Sequence, residues 1–535
     1  MRVLKFGGTS VGSVENINKM LHITAEASKS EKIIVVVSAL GGITDMLLEA
    51  GTQASHKEKY VDTFNAIRQK HIDFTKALVP KNKAALEEID GCLDDLDQLL
   101  QGIYLINELS PKTIDKLAAF GEIMSSTLIT HAMQSKGLEA VRKDSRDVIT
   151  TNDNHTRAAI EYTATNNQLE YYFSRAQQQV TVMPGFIAST SNGEVTTLGR
   201  GGSDFTAAIV AAALTVKQLE IYTDVSGMFT VNPKMVKQAR PIDSISYHEA
   251  MELSHFGAKV LYPPTIVPVM SKNIPILIKN TLEPEAPGTK IHNSDNGNGS
   301  PIKGLSNISN IALLTLEGGG MVGIPGISKR LFETLSAKAI NVILITQASS
   351  EHSICLGVME ADAETAKRAV DAEFENEISL NKIQPLVVEK HLSIIALVGD
   401  RMKSHQGISG KMFSTLGRNN VNIRAIAQGA SEKNISAVIA EKDVKKALNV
   451  LHEAFFEAQR KQLNLFITGV GNVGSRLLAQ IQQQQKYLRD ELNVNLRVLG
   501  LSNSRKMVIQ KDGIALDKWE EVLDAGAPAS IEGFY

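Results

Sequence analysis

Within its 535 residues this chain repeats itself at one constant spacing. Asn341-Val342-Ile343-Leu344-Ile345-Thr346-Gln347 returns as Asn422-Ile423-Arg424-Ala425-Ile426-Ala427-Gln428. Ser350-Glu351 returns as Ser431-Glu432, Gly326-Ile327-Ser328 as Gly407-Ile408-Ser409, and Gly318 as Gly399, always 81 residues on. Matched points without a gap between them mean a duplicated module. Each copy reads strand, loop, helix, strand, turn, strand, helix, a ferredoxin-like βαββαβ unit. The expected spans are 302–385 and 386–460. Gln347 and Gln428 fall at matching strand ends, where an amide both donates and accepts hydrogen bonds. A purely structural pair is the other reading. A chain of this length holds three or four domains, so the duplication accounts for the middle only.

The part before it, 1–292, alternates strands with helices, which indicates α/β: a mostly parallel sheet with helices on both faces. Arg2-Val3-Leu4-Lys5-Phe6-Gly7-Gly8-Thr9-Ser10 reads as a buried strand, a glycine turn and a helix capped by Thr9 or Ser10. That is a phosphate cradle with Lys5 beside it. It lacks the Gly-Lys-Ser/Thr order of a Walker A loop. Ile33-Ile34-Val35-Val36-Val37 is a strand buried on both faces, with Ser38, Gly41 and Gly42 at its C-terminal end, where open α/β sheets bind ligands. From about 53 to 110 the text is helical and charged, an inserted hairpin without evident chemistry. Thr113 to Lys136 is a helix that holds Gly121-Glu122; a glycine there costs roughly 1 kcal/mol against Ala and suggests close approach. Read alone, Glu122 is a solvated helix charge. Val141 to Asp144 and Val180 to Ile187 read as further strands.

Thr196-Thr197-Leu198-Gly199-Arg200-Gly201-Gly202-Ser203-Asp204 is a strand end, a glycine turn and a helix start, with Ser203 and Asp204 at the N-cap. Helix N–H groups and the planar fork of Arg200 suit a carboxylate or phosphate. An ordinary strand–turn–helix joint with a surface Arg is the alternative. Leu219-Glu220-Ile221-Tyr222-Thr223-Asp224-Val225-Ser226-Gly227 is a strand with a polar exit. Phe256-Gly257-Ala258-Lys259-Val260-Leu261-Tyr262-Pro263 and a strand at Ile274 to Ile278 complete this part, and Asn293 to Pro301 is a linker by composition. After the duplication, Asp443 to Gln462 reads as an amphipathic helix. Leu463 to Gly474 then gives a strand, Gly469-x-Gly471-x-x-Gly474 and a helix, the dinucleotide fingerprint in its required context. The next strand, Leu496 to Leu501, ends in Ser502-Asn503-Ser504-Arg505-Lys506, with basic residues that suit a 2′-phosphate. The segment 461–535 is thus an incomplete Rossmann βαβ unit.

The glycine-rich opening, the Gly121-Glu122 pair, the Leu-Gly-Arg-Gly-Gly-Ser-Asp stretch, Thr-Asp-Val-Ser-Gly and the Lys259 segment together resemble the aspartokinases of the amino-acid kinase superfamily. The tandem modules look like ACT domains. With the fingerprint, the resemblance from Lys5 to Gly474 is to bifunctional aspartokinase–homoserine dehydrogenases. That family more often has His where this chain has Tyr262. The resemblance implies the amino-acid kinase fold and transfer of phosphate from ATP to L-aspartate, giving 4-phospho-L-aspartate at the head of aspartate-family amino-acid biosynthesis. The nucleophile is a carboxylate already ionised at pH 7, so no general base is required. Lys5 and Lys259 are assigned to the phosphates with Mg²⁺ bridging them, and Asp204 orients that cluster. Gly7, Gly8, Gly201 and Gly202 supply backbone donors. Arg200 holds the α-carboxylate and Glu122 the amine, with Thr9, Ser38 and Ser203 in the same substrate site. Ser10, Thr223 and Asp224 serve the nucleotide. Asn341, Gln347, Asn422 and Gln428 are the expected effector residues, threonine being favoured over lysine. ACT pairing makes a homodimer or homotetramer the expected assembly. NADP is expected only with the rest of a dehydrogenase half, and no dehydrogenase activity without it. A catalytically silent amino-acid sensor, an NADP-dependent oxidoreductase and a kinase for another amino acid are the rival readings.

Composition excludes other classes. A net charge of −2 offers nothing to nucleic acid, and the apolar runs are too short for a membrane span. No Cys/His spacing forms a metal site, and Cys92 and Cys355 make no disulfide framework. With no signal peptide at its start, a cytoplasmic protein is expected.

Overall fold

The computed structural model describes residues 1–535 except 256–260, 294–300, 348–351, 403–404, 430–432, 458–460, 491–493, 511–512 and 535. The chain divides into two compact units, Met1–Leu448 and Asn449–Tyr535.

The first unit begins with β1 (Arg2–Phe6), α1 (Val14–Ser28), β2 (Ile33–Val37) and α2 (Ile43–Ser55). The inserted helices α3 (Val61–Leu78) and α4 (Lys83–Ile106) follow, then the long α5 (Pro111–Ser135). Next come β3 (Ala140–Arg142), β4 (Thr150–Thr151), α6 (Tyr162–Arg175), β5 (Val180–Pro184), β6 (Ile187–Thr190), β7 (Val195–Thr197) and α7 (Gly202–Ala213). β8 (Leu219–Thr223), β9 (Ser244–Ser246), α8 (Tyr247–His255), α9 (Ile266–Ser271), β10 (Ile276–Asn280) and β11 (Thr289–His292) complete this part. Eight strands form one sheet in the order β3-β5-β2-β1-β8-β10-β11-β9, parallel except where β10 meets β11. β2 is buried at all five positions, as its unbroken β-branched run requires, and each face of the sheet carries its own apolar cluster. β1 lies between β2 and β8, so the loops leaving these three strands share one edge, where parallel sheets bind ligands.

Local details depart from expectation. α1 is capped by Ser13, which accepts from Asn16 N–H, so Thr9 and Ser10 lie in the turn before it. α7 is capped by Gly201 at φ +70°, which puts Ser203 and Asp204 inside its first turn. Only glycine takes that backbone cheaply, and a Cβ there would stand 2.5 Å from the Tyr262 ring. The expected strand from Val180 to Ile187 is two strands, broken at Gly185 and at Phe186, whose φ is +66°. The close approach inferred at Gly121 is protein packing: a Cβ there would lie 2.8 Å from Ala39 Cβ.

The duplicated part comprises β12 (Gly304–Glu317), α10 (Ile327–Ala337), β13 (Leu344–Gln347), β14 (Ser353–Met359), α11 (Ala363–Glu373) and α12 (Glu375–Ser379). The second copy is β15 (Val387–Val398), α13 (Ile408–Arg418), β16 (Ile423–Gln428), β17 (Asn434–Ala440) and α14 (Val444–His452). All six strands form one sheet, β13-β14-β12-β15-β17-β16. β12 and β15 are long because each serves both modules. β14 pairs only with Ile311–Glu317 of β12, and β17 only with Leu392–Val398 of β15. The remaining half of each long strand lies beside the other copy's first strand as its fourth, which completes two interlocked βαββαβ units. Asn310 and His391, at φ +58° and +59°, mark where the strands pass from one module to the other. The repeat pairs Ser350-Glu351 and Ser431-Glu432 lie outside the described residues. The linker helix is shorter than expected: α14 ends at His452 and a π-helical turn covers Glu453–Glu457.

The second unit contains β18 (Lys461–Thr468), α15 (Asn472–Asp490), β19 (Val494–Ser502) and β20 (Lys506–Ile509). β18 and β19 are parallel across α15, the βαβ order of the fingerprint. Gly469 takes φ +89°, and a Cβ on Gly474 would collide with the Gly469 carbonyl, so both glycines are required by the turn.

Candidate active site

Two cavities open at the shared edge of β1, β2 and β8. The first, about 510 Å³, is lined by Ser38, Glu122, Arg200, Gly201, Gly202 and Ser203 among others. The second, about 620 Å³, is lined by Gly7, Thr9, Thr223 and Asp224. Lys5, Gly8, Gly41, Gly42 and Asp204 belong to both. The wall between them is therefore the junction of two glycine loops with one ion pair, Lys5 to Asp204. Lys5 is 8% exposed and its ammonium stands over Gly7, where a Cβ would be 3.3 Å away. The loops themselves interlock: a Cβ on Gly41 would be 3.1 Å from Gly8 O and 3.2 Å from Gly12 Cα.

Glu122 is buried on α5 at 3% exposure. One carboxylate oxygen accepts from Ala39 N–H at 3.2 Å, and the other has no hydrogen-bond partner among the described residues. Burial pushes its pKa up to about 8, against the pull of the Ala39 amide. A buried carboxyl with an idle oxygen at a cavity wall is a seat for a cation or an amine. Arg200, exposed at the mouth of the same cavity, is its cationic counterpart. The first cavity thus offers an acid at one place and a guanidinium at another, a pattern for a zwitterion. The second is bounded by the β1 loop and by Thr223, whose hydroxyl donates to Asp224 at 3.1 Å.

Several expected residues sit elsewhere. Thr9 lines the second cavity, not the first. Ser10 is 1% exposed and bonded to the Tyr222 carbonyl at 3.2 Å and to Thr281 Oγ1 at 2.6 Å, so it ties the loop to β8 and does not face the cleft. The N–H groups of Gly7 and Gly202 go to Tyr222 O (3.3 Å) and Gly199 O (3.0 Å), not outward. Lys259 lies outside the described residues. The cavity also recruits Thr44, Asp45, Thr156, Phe186 and Thr197, which carried no signal beyond the acidic first turn of α2. The hairpin has a part here too: Lys70 of α3 donates to Gly41 O at 2.6 Å.

In the duplicated part a cavity of about 320 Å³ is lined by Gly326, Ser328 and Gln347 at the start of α10. In the second copy Gln428 accepts from Ser409 Oγ at 3.1 Å. Asn341 and Asn422 are exposed just ahead of β13 and β16.

Residues 1–280 match the amino acid kinase family, and 314–374 and 395–455 match the ACT domain. Aspartokinase III of E. coli, solved with aspartate and ADP, superposes with a TM-score of 0.72 at 31% identity, covering 85% of this chain and 100% of that one. The chain belongs to the amino acid kinase family, among its aspartokinases. A second structure of the same E. coli aspartokinase, with lysine and aspartate, matches at a TM-score of 0.70 and 31% identity over 85% of this chain and 99% of that one. The Arabidopsis thaliana protein named bifunctional aspartokinase/homoserine dehydrogenase 2, chloroplastic, is 37% identical over 99% of this chain. The Haemophilus influenzae bifunctional aspartokinase/homoserine dehydrogenase is 36% identical over 98%. The chain spans 59% and 64% of the lengths of these two relatives. No helix among its described residues is long and apolar enough to cross a membrane.

Proposed function

We propose that the chain is an aspartate kinase that moves the γ-phosphoryl group of ATP to the side-chain carboxylate of L-aspartate, giving 4-phospho-L-aspartate and ADP. The observation that carries this reading is that two cavities of different chemistry meet at Lys5 and Asp204. Such a junction places donor and acceptor end to end, which is most of what phosphoryl transfer to an ionised carboxylate needs. The first cavity takes aspartate: Arg200 its α-carboxylate, Glu122 its amine, Ser38 and Ser203 nearby. Its β-carboxylate then points to the junction. The second cavity takes ATP, with Thr9 and Gly8 near the phosphates and Thr223 and Asp224 near the ribose. Lys5 neutralises charge on the transferring group, and Lys259 is proposed to assist it. Asp204, the carboxylate at the junction, would hold a Mg²⁺ carried by the nucleotide, or its water, and the ion would neutralise phosphate charge there; the described residues form no cluster of three or more metal ligands of their own.

An amino acid bound to the ACT pair controls this activity in our reading, threonine first and lysine second, in a homodimer or homotetramer. The second unit, through Gly469, Gly471 and Gly474, is proposed to bind a dinucleotide, with Arg505 and Lys506 favouring NADP. The test is ADP release with ATP, Mg²⁺ and L-aspartate, with hydroxylamine to trap the acyl phosphate, repeated with threonine or lysine. Aspartate-dependent hydroxamate supports the kinase. Folded protein that makes none points to a silent sensor.

A further inference from the structure

Asp115 is fully buried on α5, two helical turns before Glu122 on the same helix face. Its carboxylate gathers donors from two distant segments. Thr156 N–H reaches both oxygens at 3.1 and 3.0 Å, Thr197 Oγ1 reaches one at 2.5 Å, and His155 Nδ1 lies 2.8 Å from the other. His155 Nε2 is in turn 3.9 Å from Glu194, which Lys112 pairs from the start of α5. Thr156 has φ +69°, a left-handed conformation that a β-branched residue adopts only under constraint. The Asp115 carboxylate, accepting that residue's own N–H, is the constraint. The Thr156 carbonyl then lies 3.1 Å from where a Cβ of Gly199 would stand, so the turn presses on the residue before Arg200. Thr197, held by the same carboxylate, is three residues before Arg200. Thr156, Thr197, Gly199, Arg200 and Glu122 all line the first cavity.

We propose that Asp115 is a positioning residue for the acceptor site: it fixes the Thr156 turn and the Thr197 end of β7, and through them the distance between Arg200 and Glu122. One helix then sets both ends of the acceptor pocket, the amine end directly through Glu122 and the carboxylate end through Asp115. This rests on the aspartate kinase reading above.

The test compares Asp115→Ala and Asp115→Asn with the wild type. Asp115→Ala should raise KM for aspartate at least tenfold and change KM for ATP less than twofold. Asp115→Asn, which still accepts from Thr156 N–H, should recover part of the loss. Hydrogen exchange should show faster exchange of the Thr156 amide in Asp115→Ala, a readout independent of turnover. If Asp115→Ala does not fold, Thr197→Val, which removes one donor, should show the same split between the two KM values to a smaller degree. Parallel rises in both KM values, an unchanged aspartate KM, or an unaltered Thr156 amide would overturn the proposal. Wild-type protein without aspartate-dependent turnover would sink the kinase reading instead, and the exchange experiment would still decide the clamp.

Discussion

Lys70 Nζ donates to the carbonyl of Gly41 at 2.6 Å, which fastens the inserted hairpin to the loop shared by both cavities. Gly41 precedes Gly42, the left-handed cap of α2 at φ +80°, and packs directly on Gly8 and Gly12. Holding one carbonyl therefore holds the crossing of two glycine loops. Lys70→Ala should lower kcat/KM roughly 5- to 10-fold, about 1–1.4 kcal/mol, the net worth of one ordinary, partly exposed hydrogen bond. Lys70→Arg should restore part of it. Steady-state ADP release in the three proteins checks this; equal rates would leave the hairpin no part in the site.

That contact also shows what the sequence could and could not reveal. The sheet was legible because Ile33 to Val37 is apolar at every position and Val3 to Phe6 at every position but Lys5, which only a strand covered on both faces tolerates. The glycine turns at 7–8 and 199–202 announced the cleft, and the 81-residue spacing announced the duplicated modules. What was hidden depends on partners far away in the chain. Nothing in the sequence singles out Lys70 or Asp115 until Gly41, Thr156 and Thr197 are brought beside them. Ser10 looked like a cap, but the actual cap is three residues later and the Ser10 hydroxyl is held by Thr281. The sharing of β12 and β15 between modules was hidden for a similar reason, since length alone does not say which half of a strand serves which neighbour.

Glu122 makes a prediction about pH. Burial raises its pKa to about 8, so in the free protein it is largely protonated at neutral pH. An amine binds the ionised form, so KM for aspartate should fall as pH rises from 6.5 toward 8. The stability effect runs the other way. Between the unfolded value, near 4.5, and 8 the native state holds a proton that the unfolded state releases, so stability is lost as pH climbs through that window. Glu122→Gln should therefore melt higher than the wild type at pH 8, by about 1–2 °C for each kcal/mol relieved, with little difference at pH 5. It should also bind aspartate far more weakly. Melting curves of both proteins at pH 5 and 8 check the first point and KM for aspartate the second; a difference in Tm that is independent of pH would exclude the titration.

His71 acts at the acid end. It is fully buried in α3, its Nδ1 lies 2.9 Å from Ile67 O, and Nε2 has no partner among the described residues. Desolvation lowers its pKa to about 4. The unfolded chain takes up a proton near 6.5 and the native one only near 4, so stability present above pH 6.5 is lost as pH falls toward 4. The loss is on the order of 3 kcal/mol. His71→Leu, which cannot be protonated, should flatten this part of the stability profile. Denaturant unfolding at pH 7, 5.5 and 4.5 measures it, and equal slopes in both proteins would place the acid sensitivity elsewhere.

The two ACT modules share a sequence pattern but differ at one pair of atoms. In the second, Ser409 donates to Gln428; in the first, the matching Ser328 and Gln347 both line an open cavity of about 320 Å³. The side-chain oxygen of Gln428 already accepts one hydrogen bond from Ser409, whereas Gln347 lines the cavity without a matching bond to Ser328 among the described residues. A coupling of ~1–3 kcal/mol between effector and substrate sites corresponds to a 5- to 150-fold change in affinity. Gln347→Ala should raise the half-inhibiting concentration of threonine, or of lysine if that is the effector, by about tenfold or more. Gln428→Ala should shift it less than threefold, because the Gln428 oxygen is already shared with Ser409 and less of the amide is left for an effector. Inhibition curves of the two variants beside the wild type decide this. Equal shifts would mean that both modules bind effector, and a shift in Gln428→Ala alone would move the regulatory site to the second copy.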